Sequence, residues 1–310
     1  MSEAKSLRIA YGEALRDLGA VNDKIVVCDA DLAAATMTNI FRDAYPDRHF
    51  DFGIAEANMV CGAAGMAHSG LIPFVSTFAL FGTGRAYEQI RNSVAYVKAN
   101  VKIACSHGGL CVGEDGGSHQ SIEDIGLMRM LPNMTVMVPC DAVEVEKAVK
   151  AAVEINGPVY LRVSRPVCPI YTTADTPFIP GKANVMREGT DVAIFANGLM
   201  VGKALEAADM LAEKGVSAAV LNFHTVKPLD EEAILEYAGK VKAIVTAEEH
   251  SVYGGLNSAV CEVLAGKSNV KYDRVGIEDR FGQSGTPDLL FEEYGLTAEN
   301  ICNKMLALLK

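Results

Sequence analysis

The residues best suited to chemistry follow short apolar runs. His107 comes directly after the run Val101 to Ser106. Behind it lies a glycine-dense loop, Gly108 to Gln120 (GGLCVGEDGGSHQ), with five glycines, two acids and a second histidine, His119. Glycine at that density lets the backbone approach a ligand closely or take a tight, irregular path. Asp115 belongs to the same loop, and Asp31 stands in Asp29-Ala30-Asp31 just after the run Ile25 to Cys28. Glu56 sits in DFGIAEAN (51–58), at the head of a segment rich in small residues (Ala57, Gly62, Ala63, Ala64, Gly65, Ala67) that suits close helix packing. A carboxyl so placed has two readings. It is an acid paired with the helix dipole, or a desolvated group whose proton a ligand nitrogen can share. Phe78 and Phe81, three apart in STFALF (76–81), are core residues or a platform for a flat ring. Arg85 and Arg91 follow on a helix, and Arg165 closes the run Val159 to Val163. An arginine at a sheet edge beside a crevice makes a good anion clamp.

These groups need a frame that gathers them. Short β-rich runs (25–28, 72–75, 101–106, 135–138, 159–163) alternate with helical stretches such as 56–68 and 86–97. A further helix opens after Asp141, which can cap it, with Glu144 three residues on as in a capping box. Alternation of this kind predicts a mainly parallel sheet covered on both faces. Ligands of such sheets sit beyond the carboxyl ends of the strands, where the candidate residues fall. The pattern breaks between Pro166 and Arg187, a stretch with Pro166, Pro169, Pro177, Pro180 and Gly181. It then resumes with strand 192–196, helix 203–214, strand 217–221, a helix from Asp230, strand 243–247, a helix after Gly255 and a last helix from Ala298. The expected organisation is two doubly wound α/β domains with mainly parallel sheets, residues 1–170 and 189–310, joined by a linker at 171–188.

Bulk properties narrow the classes. The chain has 310 residues, half of them hydrophobic, which is ample for two cores. Its 28 basic residues against 39 acidic ones give a net charge of −11. That argues against nucleic-acid binding, which needs a basic face, while leaving room for an anionic small substrate at a locally positive site. The eight cysteines show no metal or redox spacing. Cys28, Cys61, Cys105, Cys111, Cys140 and Cys261 lie in or beside apolar runs and read as small buried hydrophobes of a reducing compartment. Residues 1–8 do not resemble a signal peptide, and no stretch reaches the roughly 18 apolar residues of a membrane span. The expected location is the cytoplasm, with no membrane partner. No dinucleotide loop, phosphate loop or histidine pair at metal spacing is present.

Several motifs are specific in combination: VVCDADLAAAT (26–36), GIAEANM (53–59), STFALF (76–81), GRAYEQIRNS (84–93), VGEDGGSHQSIEDIGLMR (112–129), LPNMTVMVPCDAVE (131–144), HTVKPLD (224–230) and EEHSVYGG (248–255). Together they resemble the pyrimidine-binding and C-terminal domains of the transketolase family, from about residue 7 to residue 305. The closest resemblance is to the split form, whose C-terminal half is a separate polypeptide.

The resemblance implies a thiamine diphosphate cofactor and a two-carbon ketol transfer between a ketose phosphate and an aldose phosphate. It implies that Glu56 hydrogen-bonds the ring nitrogen of the cofactor's aminopyrimidine, with Phe78 and Phe81 around that ring and Phe81 stacking. A tyrosine common in the family is replaced here by Gly84. His107, Asp115 and His119 match substrate-channel residues. His119 is expected to meet the donor carbonyl or hydroxyl, Asp115 a hydroxyl, and His107 with Arg165 a terminal phosphate. Asp31 matches a channel acid beside the cofactor, and Arg85 is taken as a further substrate contact. His224 and His250 match motifs of the second domain and are read as structural. The family's Gly-Asp-Gly…Asn magnesium site has no match, because Gly113-Glu114-Asp115-Gly116 belongs to the substrate loop. An N-terminal, diphosphate-binding partner subunit is therefore expected to carry the Mg2+ ligands, in an α2β2 heterotetramer. Three other readings remain. The β subunit of a 2-oxo acid decarboxylase shares the architecture and the glutamate. A deoxyxylulose-phosphate synthase shares the motifs from TFALF to GRAYEQ. A non-catalytic subunit is the third. The histidine-flanked GEDGGSHQ loop favours transketolase.

Overall fold

A computed structural model describes residues 4–310. Fourteen strands are described: β1 Ala4–Ser6, β2 Ile25–Asp29, β3 His49–Asp51, β4 Ile72–Ser76, β5 Lys102–Ser106, β6 Thr135–Met137, β7 Val159–Val163, β8 Val167–Pro169, β9 Asn184–Arg187, β10 Val192–Ala196, β11 Ala218–Asn222, β12 Thr225–Lys227, β13 Ala243–Ser251 and β14 Lys271–Ile277. The first sheet has the order β12-β6-β7-β5-β4-β2-β3, and all its pairings are parallel except β12 with β6. The second has the order β14-β13-β10-β11-β9, parallel except β9 with β11. The central strands β2, β5, β7, β10 and β11 are buried along their whole length. That is why they stand out in the sequence as mostly apolar runs rather than alternating ones, interrupted by polar residues such as Lys102 and Arg162 whose ends find buried partners.

Both sheets are covered on two faces, as doubly wound α/β folds require. In the first, helices Leu7–Val21 and Ala142–Glu154 pack a core around Leu15, Phe74, Val145 and Leu161. Helix Glu56–His68 and the segment around Ile90 close the other face over Val75 and Ile103. In the second, helices Met200–Ala212 and Ala298–Leu309 cover one face, and Glu231–Lys240 with Leu256–Leu264 cover the other. No helix of the described residues is long and apolar enough to cross a membrane. The capping reading at Asp141 holds: its side chain accepts the Glu144 N–H at 2.8 Å, and Glu144 reaches back to the Cys140 N–H at 2.7 Å.

Three features depart from the sequence expectations. The proline-rich stretch is not structureless: β8 pairs with β1, and β9, inside 171–188, becomes an edge strand of the second sheet. The helical stretch 86–97 is a short α segment, Tyr87–Gln89, followed by a wide π-helical turn, Ile90–Ala95, and another such turn, Leu80–Arg85, precedes it. Cys61 and Cys261 are exposed; the other four named cysteines are buried.

The two domains are tied together by buried polar contacts. Strand β13 continues past Ala247 to Ser251, carrying Glu248, Glu249 and His250 into the interior. Arg162 on β7 is buried and donates from Nε to Asp124 at 2.9 Å and from Nη2 to the Glu249 carbonyl at 3.0 Å. The Tyr160 hydroxyl donates to the same Asp124 oxygen at 2.5 Å. Burial opposes the Arg162 charge, but Asp124 and Glu249 outweigh it and raise its pKa. His250 Nε2 accepts the Gly126 N–H at 3.2 Å across the domain boundary, and Asn222 donates to Glu144 at 2.8 Å. Removing one partner of a buried ion pair leaves the other charge uncompensated, at about 3–5 kcal/mol. Arg162→Met should therefore lower stability by about that much in chemical denaturation, and adding Asp124→Leu should recover a large part. A single variant as stable as the native chain would show that the cluster does not hold the domains together.

Candidate active site

The carboxyl ends of β7, β5, β4 and β2 lie side by side in the first sheet and deliver most of the candidate residues to one place. Glu56 is the first residue of its helix and only 4% exposed. Arg85 donates from Nη1 to Glu56 Oε1 at 3.0 Å, and its guanidinium carbon stands 4.2 Å from the centre of the Phe81 ring. Phe81 stacks with Phe78, with centroids 5.7 Å apart and planes at 21°. Phe78 stacks in turn on His107 at 3.9 Å, and the His119 ring meets Phe81 edge-on at 5.2 Å. Glu56, Arg85, Phe81, Phe78, His107 and His119 thus form one continuous run of contacts. Phe81 and Arg85 are four residues apart in the first wide-turn segment, the spacing that sets side chains on one face. Such π turns are common at functional sites.

His107 adopts a left-handed backbone (φ 60°), rare for any residue but glycine and sustained only where the surroundings hold it. Its Nδ1 is 2.7 Å from the Ser106 hydroxyl. Burial, then the charges of Arg8 and Arg165, push its pKa down to about 3. The imidazole is therefore neutral near neutral pH, a directional hydrogen-bonding group rather than a cation. Asp31 has the same backbone conformation (φ 61°) and is exposed, outside this run of contacts, with its N–H bonded to Asp51 Oδ1 at 3.1 Å.

Positive charge gathers on the other side of His107. Arg165 donates to the Val112 carbonyl and lies 3.6 Å from Glu114 and 3.9 Å from Asp115. Arg8, on the first helix, donates from Nε to the Arg165 carbonyl at 3.1 Å and from Nη1 to the Ala35 carbonyl at 2.7 Å. Burial and the neighbouring Arg165 lower its pKa. Among the described residues no carboxylate pairs with Arg8. This arginine escaped the sequence reading, since one basic residue on an amphipathic helix resembles any surface arginine.

The glycine loop is anchored from below. Glu249 accepts the Cys111 N–H at 2.6 Å, and burial raises its pKa to about 7. A Cβ on Gly109 would lie 2.3 Å from Glu249 Oε1, and one on Gly108 would lie 2.3 Å from Arg162 Nε. Only glycine lets the loop rest on the buried cluster. His119 remains half-buried with its Nδ1 3.0 Å from the Ser118 hydroxyl, and Asp115 is exposed at the rim. His250 takes part in the domain contact described above. His224 stacks on Phe178 at 4.1 Å, away from the run that starts at Glu56.

Residues 3–169 match the transketolase pyrimidine-binding domain, and residues 181–301 match the transketolase C-terminal domain. The chain is 43% identical over 309 residues to a putative transketolase C-terminal section of Methanocaldococcus jannaschii, covering 99% of this chain and 97% of that one. It is 45% identical to a 6-deoxy-6-sulfo-D-fructose transketolase subunit of a Clostridium species, covering 95% and 92%. A solved structure described as a split gene transketolase, inactive beta4 tetramer, is 48% identical and superposes with a TM-score of 0.90 over 100% of this chain and 99% of its own. The chain belongs to the transketolase family, as the C-terminal subunit of its split form, with the pyrimidine-binding and C-terminal domains on one polypeptide.

Proposed function

We propose that this subunit supplies the pyrimidine half of a thiamine-diphosphate site and, with a partner chain, moves a two-carbon ketol unit between a ketose and an aldose that each carry a terminal anion. The observation that carries this reading is the setting of Glu56, a buried carboxyl at a helix start beside an aromatic ring. A planar group with N–H donors, the Arg85 guanidinium, already rests against both the acid and the Phe81 ring. The pair therefore suits a flat heterocycle that rests on Phe81 and turns a ring nitrogen to Glu56. Bound thiamine diphosphate supplies the electron sink for breaking and making the carbon–carbon bond.

In this reading Glu56 holds the proton shared with the ring nitrogen, and Phe81 carries the ring face with Phe78 behind it. His119 hydrogen-bonds the donor carbonyl or hydroxyl. Asp115 reads a hydroxyl at the rim, and Asp31 lines the channel. His107 gives one directional hydrogen bond, while Arg8 and Arg165 carry the charge that meets the terminal anion. A guanidinium fork accepts phosphate and sulfonate alike, in keeping with a similar relative named for a sulfo sugar. The lack of a Gly-Asp-Gly…Asn motif in this sequence supports magnesium ligands on the partner. Relatives of nearly the same length named as a section and as a subunit support a two-chain enzyme, for which we propose an α2β2 assembly.

Reconstitution is the direct test. The chain alone should transfer no ketol units, and addition of the diphosphate-binding chain should restore transfer. Glu56→Gln should then cut turnover by roughly 10²-fold or more without loss of assembly. Robust transfer by the chain alone, or near-normal turnover of the variant, would refute the proposal.

The anion clamp has its own signature. Arg8→Ala and Arg165→Ala should each raise the Michaelis constant for anion-tailed sugars about tenfold or more, and hardly affect neutral ones. The His107 pKa of about 3 lies below the ordinary 6.5, so acidification to about pH 5 adds no charge there. Its ring resonances should stay fixed from about pH 8 to pH 5. Equal effects of the arginine variants on charged and neutral sugars would refute the clamp.

A further inference from the structure

One guanidinium makes both contacts on which the proposed cofactor site depends. Arg85 Nη1 is 3.0 Å from Glu56 Oε1, the only hydrogen bond that this carboxylate receives among the described residues, and the guanidinium carbon of the same group lies over the Phe81 ring, 4.2 Å from its centre. A guanidinium and an aminopyrimidine are both flat groups that can turn a nitrogen to a carboxyl and a face to an aromatic ring, the guanidinium donating to the carboxylate and the ring nitrogen sharing the carboxyl proton. Both cannot hold Glu56 Oε1 and the Phe81 face at once. The two partners differ sharply in accessibility: the Glu56 side chain is 5% exposed, whereas Arg85 is 54% exposed and can swing into water without breaking the core. The stem of Arg85 leaves the end of the wide-turn segment Leu80–Arg85, next to the exposed Gly84, so no packed side chain must move with it.

The geometry points to Arg85 as a resident occupant of the pyrimidine subsite, which holds Glu56 and covers Phe81 in the cofactor-free subunit and must be exchanged for the cofactor's ring. This inference rests on the assignment of Glu56 and Phe81 to the aminopyrimidine. It recasts Arg85 from a fixed substrate contact to a competitor for the cofactor. Its consequence is that cofactor affinity is set by a difference between two similar contacts, not by the ring's contacts alone. The Arg85 end of the pair is exposed and easily released, so the handicap it imposes is modest.

The test uses the full chain reconstituted with its diphosphate-binding partner, with thiamine diphosphate and magnesium titrated in. Binding is read calorimetrically, and the arginine side chains are followed by nitrogen-15 resonances assigned with Arg85→Lys. On saturation the Arg85 guanidinium signal should move to the position of a solvent-exposed arginine. Arg85→Ala should tighten binding about three- to tenfold, and Arg85→Lys, which keeps the charge without the plane, should fall between. Glu56→Gln should weaken binding in every background. An Arg85 signal unmoved at saturation, or an alanine variant that binds no tighter, would overturn the exchange while leaving the pyrimidine site standing. Binding that ignores Glu56→Gln, or no binding at all, would overturn the site assignment and the exchange with it.

Discussion

The buried cluster of Arg162, Asp124 and Glu249 is the constraint on which the site depends. It joins the end of one sheet to the end of the other and provides the surface on which the glycine loop rests. Charges this deep are tolerated only because each finds a partner. Even so, one oxygen of Asp124 and one of Glu249 have no hydrogen bond among the described residues. The loop in turn carries His119 and Asp115 and abuts Arg165. The second domain thus shapes the chemistry without contributing a side chain to the run from Glu56 to His119. Its part is to hold the loop at the height where the histidine meets the aromatic pair.

Much of the fold was legible because the driving force is simple. A strand buried on both faces of a parallel sheet is mostly apolar on both, and β2, β5, β7 and β10 announce themselves that way apart from charged residues such as Lys102 and Arg162. The helix cap at Asp141 is written in two residues and was readable for the same reason. What could not be read was pairing over distance. Nothing local in Thr225–Lys227 tells it to leave its own domain and lie against β6, about ninety residues earlier in the chain. Nor does EEHS resemble the end of a buried strand, since its charges are acceptable only beside Arg162 and the helix start at Leu256, whose N–H Glu248 accepts.

The same division runs through the candidate site. Glu56, Phe78, Phe81, His107 and His119 were recognisable as a set of motifs, and they do meet. Arg8 was not, because what marks it is lying behind Arg165 with no carboxylate paired to it among the described residues, a purely spatial fact. The charge state of His107 was also hidden. A histidine beside a candidate anion site suggests a cation until burial and two nearby arginines are seen to keep it neutral.

Strand β12 carries a further consequence. By returning to the first sheet it caps the edge of β6, whose backbone groups would otherwise lie open along one side. The polypeptide is therefore modular in its cores but interlocked in its hydrogen bonding. A cut in the connecting stretch between Pro169 and Asn184 would yield an N-terminal fragment with a bare strand edge, prone to self-association, and a C-terminal fragment with a tether it could not fold. Complementation of such fragments would have to restore that antiparallel pairing together with the buried polar contacts between the halves. The seam along which this subunit can be divided is set by where a sheet is finished, not by where a domain appears to end.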